Sequence, residues 1–194
     1  REPGVIDGVK GYNRQNVRLN IDQDLRPDLT LGTSVYYSTS WRDDPQASIN
    51  PFYSFMFMAP LADLEADNDD GTPYRIQADP KSLEENPLYA SNEQDIDQNR
   101  KRLTASFNLL YKPVRWFTLE GRASYDKSDV FDTSYYYKGF KSVDNQNNPT
   151  GRYSRFHAFT EALNADLTAS FYKTFGDLST KTKFRYHMEE DKYE

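Results

Sequence analysis

From Val17 onward, apolar side chains fall on every second position, and that two-residue period is the strongest constraint on the fold. Val17, Leu19, Ile21 and Leu25 alternate with Asn16, Arg18, Asn20, Asp22 and Asp24. Successive side chains of an extended strand point to opposite faces, so this pattern predicts a strand over 14–25 with one dry and one wet face. Arg26-Pro27-Asp28 supplies a tight turn, with Pro fixing φ and Asp able to bond its own backbone. A second strand over 29–41 then places Leu29, Leu31, Val35, Tyr37 and Trp41 opposite Thr30, Gly32, Ser34, Ser38 and Ser40. The two segments predict a hairpin.

The same grammar recurs twice. Leu103, Ala105, Phe107, Leu109 and Tyr111 alternate with Arg102, Thr104, Ser106 and Asn108, predicting a strand near 102–111. After a turn at Lys112-Pro113-Val114-Arg115, Phe117, Leu119, Gly121, Ala123 and Tyr125 alternate with Thr118, Glu120, Arg122, Ser124 and Asp126, predicting one near 116–127. A third hairpin, near 158–173 and 178–190, turns at Phe175-Gly176-Asp177, after which the parity reverses. Between hairpins lie two long polar segments, near 42–99 and 128–155, rich in Asp, Asn, Pro and Ser. A structureless loop of that length counts against a compact soluble domain. Short turns alternating with long loops suit an antiparallel transmembrane β-barrel.

Composition supports the all-β reading. There are 15 Tyr and 12 Phe in a chain only 37% hydrophobic, which favours strands over helices. Mean hydropathy is −0.90, and so many aromatics argue against disorder as the cause. Alternation is the cause instead, because polar positions dilute the average without removing the dry faces. Trp41, Tyr111, Trp116, Phe117, Phe171 and Phe175 stand near strand ends, where interfacial girdles require amphipathic rings. Odd positions of the first five strands are therefore expected to face lipid and even positions to line a lumen. There is no apolar run of transmembrane-helix length.

Other classes are poorly supplied. A net charge of −6 and the lack of a basic cluster argue against nucleic acid as a partner. Without cysteine there is no thiolate nucleophile or disulfide framework. His157 and His187 are far apart, and no hydrolase, phosphate-loop or dinucleotide motif accompanies them, so no enzyme and no cofactor is expected. Glu120 and Asp126 fit a lumenal charge lattice with Arg122 better than an acid/base pair. Asp67, Asp69 and Asp70 before Gly71 have a composition calcium accepts, but position twelve from Asp67 is Ala78 instead of the glutamate of an EF-hand loop. They are a weak metal candidate, and a solvated acidic turn is the plainer reading.

The stretch Gly11-Tyr12-Asn13-Arg14-Gln15-Asn16-Val17-Arg18-Leu19-Asn20-Ile21-Asp22, with Leu29-Thr30-Leu31-Gly32 after it, resembles a mid-barrel hairpin of SusC/RagA-type TonB-linked outer-membrane transporters. So do the loop segments Ala59-Pro60, Asp70-Gly71 and Asn86-Pro87-Leu88-Tyr89, and Asn164-Ala165-Asp166-Leu167-Thr168-Ala169-Ser170-Phe171-Tyr172-Lys173-Thr174-Phe175. The likeness covers nearly the whole chain. It implies a plugged barrel of about 22 strands, of which residues 1–194 would form part of a single barrel domain. It also implies a bacterial outer-membrane location and import of oligosaccharide or peptide, powered by a TonB complex through a plug that this segment lacks. A SusD-like surface lipoprotein is the implied lid. The loop aromatics Trp41, Tyr53, Tyr74, Tyr135, Tyr136 and Tyr137 are the expected substrate contacts, since rings can stack on sugars or peptides. The alternative is a soluble secreted β-rich carbohydrate-binding module; a β-rich hydrolase would need clustered carboxylates that are not evident.

Overall fold

The computed structural model describes residues 2, 4, 9–43, 51–81, 84–142 and 149–193. The segments 44–50, 82–83 and 143–148 of the two expected loops lie outside the described residues. The described chain is all-β. Six strands, β1 (Tyr12–Arg26), β2 (Leu29–Asp43), β3 (Gln94–Val114), β4 (Phe117–Tyr136), β5 (Arg152–Phe175) and β6 (Leu178–Tyr193), form one antiparallel sheet in sequence order. The last hairpin pairs Phe175 with Leu178 and runs in register to Thr160 opposite Tyr193. Gly176 in its turn has φ of 59°, a left-handed conformation that glycine takes without strain.

Three strands are longer than the alternation predicts. β3 begins at Gln94, β4 continues to Tyr136 and β5 begins at Arg152. In those extensions, polar residues such as Asp95, Asp97, Asp129 and Arg155 occupy the dry parity, so hydrogen bonding continues where the hydrophobic period fades. The segment expected to be a loop over 42–99 also holds two short helices, α1 (Pro51–Phe57) and α2 (Pro87–Glu93). Pro87 stands at the start of α2, where a missing N–H costs nothing, and the Asn86 side chain caps the helix by accepting from the Leu88 amide at 3.0 Å. No helix among the described residues is long and apolar enough to cross a membrane, which leaves strands untouched as a means of crossing.

The chain divides into two compact units. One comprises 1–14, 40–99 and 130–157, the other 15–39, 100–129 and 158–194. The first has a small conventional core: Tyr89, Ala90, Ile96 and Phe140 are buried, with Asn86 fully enclosed between the Leu64 carbonyl and α2. The second has no buried hydrophobic residue among those described. Val17 is 70% exposed, Leu19 56%, Phe184 64% and Tyr186 67%. Among its described residues, the buried ones are Ser38 and Ser170. Nothing in the described chain covers the dry face of this wall.

Candidate functional site

In the second unit, the two faces of the sheet differ in chemistry. On the even positions of β1 to β5 polar side chains bond across strands. Ser34 donates to Asn20 at 2.6 Å, Thr30 to Asp24 at 2.8 Å and Thr104 to Asp126 at 2.6 Å, while Arg102 pairs with Asp126 at 3.0 Å. A Cβ on Gly32 would come within 2.9 Å of the Asp22 carboxylate, so glycine there leaves room for the acid. β6 joins this face with the reversed parity, since Asp166 stands opposite His187 and Thr168 opposite Arg185. Asp166 accepts from Arg185 Nε at 2.8 Å and lies 3.1 Å from His187 Nδ1. A cleft of ≈ 330 Å³ opens here between Glu120, Arg122, Asp166, Thr168, Lys183 and Arg185.

The opposite face is apolar over a defined length. Along β5, Leu163, Ala165, Leu167, Ala169 and Phe171 stand between Glu161 and Lys173. Along β4, Phe117, Leu119, Gly121, Ala123 and Tyr125 stand below Lys127. Lys127 and Glu161 pair at 2.9 Å, and β6 adds Lys192, which pairs with Glu190 at 3.1 Å and stands opposite Glu161. A row of charge therefore closes the dry face at one end. Rings close it at the other: the Phe117 and Phe171 centroids are 5.0 Å apart, Phe171 and Phe184 are 6.1 Å apart, and Trp116 stacks on Phe171 at 6.4 Å.

The first unit carries the expected loop aromatics. Tyr135 and Tyr137 meet edge to face at 5.1 Å, and Tyr153 joins them at 6.4 Å from Tyr135. Tyr136 points away from this group, as adjacent residues of an extended chain do, and packs edge-on against the buried Phe140 at 5.0 Å. The Tyr137 hydroxyl donates to Asp95 at 2.8 Å, and that bond to a carboxylate holds its pKa above the ordinary phenol value. Tyr53 lies on α1 with its ring 4.6 Å from Phe57, Tyr74 lies in the loop after Gly71 with φ of 60°, and Trp41 lies on β2. The 63%-exposed Tyr153 was not among the expected contacts. Parity counted back from Leu163 puts it on the Tyr135 side, and that was the available signal.

The acidic turn is organised by Asn68, whose side chain donates to the Tyr74 carbonyl at 2.7 Å and accepts from the Ile76 amide at 3.1 Å. Asp69 faces Arg75 at 3.6 Å, and Asp70 bonds Thr72 at 2.6 Å and faces Lys141 at 3.6 Å. Those Thr72 bonds hold the Asp70 carboxyl below its usual pKa. Among the described residues no three acidic or histidine side chains gather as metal ligands.

No protein-family model matches the chain, and no curated protein matches it. Solved structures do. The RagAB peptide importer in an "open-open" state is similar with a TM-score of 0.62 at 14% identity, over 93% of this chain and 20% of that one. Its "closed-closed" state gives 0.60 at 11%, over 93% and 25%, and a further RagAB peptide transporter structure gives 0.60 at 10% over the same shares. The likeness is one of fold. The chain spans about a fifth to a quarter of the chains it resembles.

Proposed function

We propose that this chain is a stretch of barrel wall from a SusC-like, TonB-dependent importer in the bacterial outer membrane, which binds and moves a peptide or oligosaccharide without chemistry on it. The observation that carries the reading is the uncovered apolar face, closed by charge at one end and by rings at the other. On β5 that face runs nine residues, from Leu163 to Phe171, and a tilted strand crosses the hydrocarbon core in about 9–11. Lipid would cover the dry face, and the hydrogen-bonded polar face would line the lumen. Support for transport comes from the resemblance to peptide-importer structures, and among the two substrate classes it favours peptide.

In this reading the Tyr135, Tyr137 and Tyr153 group offers ring surfaces for substrate at the outer end of the barrel, with Trp41, Tyr53 and Tyr74 as further contacts. A SusD-like lipoprotein would act as the lid, and energy would arrive from TonB through a plug elsewhere in the parent protein. Two measurements test this. The parent should fractionate with the outer membrane and need detergent for extraction; a monodisperse, detergent-free monomer would contradict a membrane wall and favour a secreted binding module. Deleting the parent gene should impair growth on peptides as nitrogen source or on oligosaccharides as carbon source, and unchanged growth on every tested oligomer would remove the import role.

A further inference from the structure

We propose that the cleft between β4, β5 and β6 on the polar face binds a carboxylate of the transported ligand, supplied by a peptide C-terminus or an acidic side chain. The proposal rests on the peptide-import reading. Three cations (Arg122, Lys183 and Arg185) and two carboxylates (Glu120 and Asp166) line a volume of ≈ 330 Å³. Asp166 is already engaged by Arg185 and His187, which neutralises one cation. Some cations of this unit are held by acids, as Arg102 is by Asp126 at 3.0 Å and Lys127 by Glu161 at 2.9 Å. Among the described residues, the Arg122 guanidinium and Lys183 ammonium have no ion-pair or hydrogen-bond partner.

The cleft therefore presents two uncommitted positive donors of different geometry. A guanidinium grips a carboxylate with two parallel hydrogen bonds, and an ammonium beside it adds a point charge. Thr168, directly opposite Arg185 in the β5–β6 register, adds a hydroxyl that can donate to the same anion. Glu120 sets the opposing sign, because its charge repels an arriving carboxylate. Removing it should therefore act in the opposite direction from removing the cations.

The experiment uses the full-length parent in detergent and four labelled pentapeptides, alternating Ala with Glu or with Gln, each with a free or an amidated C-terminus. R122Q/K183Q should weaken binding of carboxylate-bearing peptides by about tenfold or more and leave the amidated Gln peptide unchanged. Whichever carboxylate loses affinity, terminal or side-chain, identifies the source. E120Q should strengthen the same peptides, and added salt should weaken them in the unsubstituted protein. All six lining residues except Asp166 and Thr168 are exposed, so these substitutions leave packing intact. Equal loss for all four peptides would show that the cleft holds another part of the protein, and would overturn the proposal. Binding of all four by the parent with no loss in R122Q/K183Q would overturn the site alone. A parent that binds none of them would overturn peptide import and the site with it.

Discussion

Lys127 and Glu161 face each other across β4 and β5 at 2.9 Å, and the Tyr125 hydroxyl donates to the same Glu161 oxygen at 3.1 Å. This group stands next to Leu163 and ends the dry face there. If the face between it and the Phe117–Phe171 rings meets lipid, a charge placed midway is costly. Leu109 sits on that stretch, packed toward Gly121. Leu109→Arg should destabilise the folded parent in vesicles by about 2–4 kcal/mol. Thr104→Arg, on the polar face and within reach of Asp126, should cost less. Equal costs in a denaturant titration would contradict the assignment of faces.

Asn86 is the fully buried hinge of the first unit. Its side chain donates to the Leu64 carbonyl at 2.8 Å and accepts from the Leu88 amide at 3.0 Å. Asn86→Ala removes both bonds and leaves the part-buried Leu64 carbonyl and Leu88 amide without these partners, at about 1–3 kcal/mol. Limited proteolysis should then cut between 60 and 93 much faster, while cleavage in the β5–β6 hairpin stays as it was.

Asp79, 8% exposed, holds its loop by accepting from the Lys81 amide at 3.0 Å and the Ala59 amide at 2.9 Å. Those amides, Lys81 first, hold its carboxyl below the ordinary value. A lowered folded pKa gives stability that is present above the unfolded value of about 4 and lost as pH falls through the folded one. Hydrogen exchange at the Ala59 and Lys81 amides, corrected for intrinsic rates, should accelerate below about pH 4. Asp79→Asn should abolish that pH dependence.

Gly151, just before β5, has φ of 78°, and a Cβ there would approach the Tyr136 carbonyl oxygen to 3.0 Å and the Lys138 amide nitrogen to 3.2 Å. Gly151→Ala combines a left-handed backbone with a close backbone contact, and should cost about 1–2 kcal/mol or more. A thermal melt of the parent would register it, and an unchanged midpoint would contradict the geometry.

The three hairpins were legible because dry residues recur on one parity in each, and Pro27 and Gly176 give the first and last turns a physical cause; the middle turn falls at Arg115-Trp116, just past Pro113. The extensions of β3, β4 and β5 were not, because residues such as Asp95, Asp97 and Asp129 fall on the dry parity and the two-residue period vanishes. α2 was legible in principle, since Asn86-Pro87 is a cap followed by a first-turn proline. α1 has the same Asn-Pro pair in the sequence, Asn50-Pro51, but Phe52, Tyr53, Phe55, Met56 and Phe57 after it are apolar nearly all round and give no helical period. Of the expected contacts, Tyr135 and Tyr137 meet edge to face while Tyr136 packs on Phe140 instead, since consecutive residues of an extended chain take opposite sides. The cleft at Arg122 and Lys183 was illegible because it needs the register of β6 against β5, which parity alone leaves free by steps of two.

The register of β5 against β4 is guarded at both ends. A two-residue slip of β5 against β4 would preserve every inward and outward direction, so the parity pattern would not notice it. It would move β5 by about 7 Å, drawing Phe171 off Phe117 at one end and Glu161 off Lys127 at the other. The rings and the ion pair thus work like the two marks of a vernier scale, and only one alignment of the hairpins satisfies both.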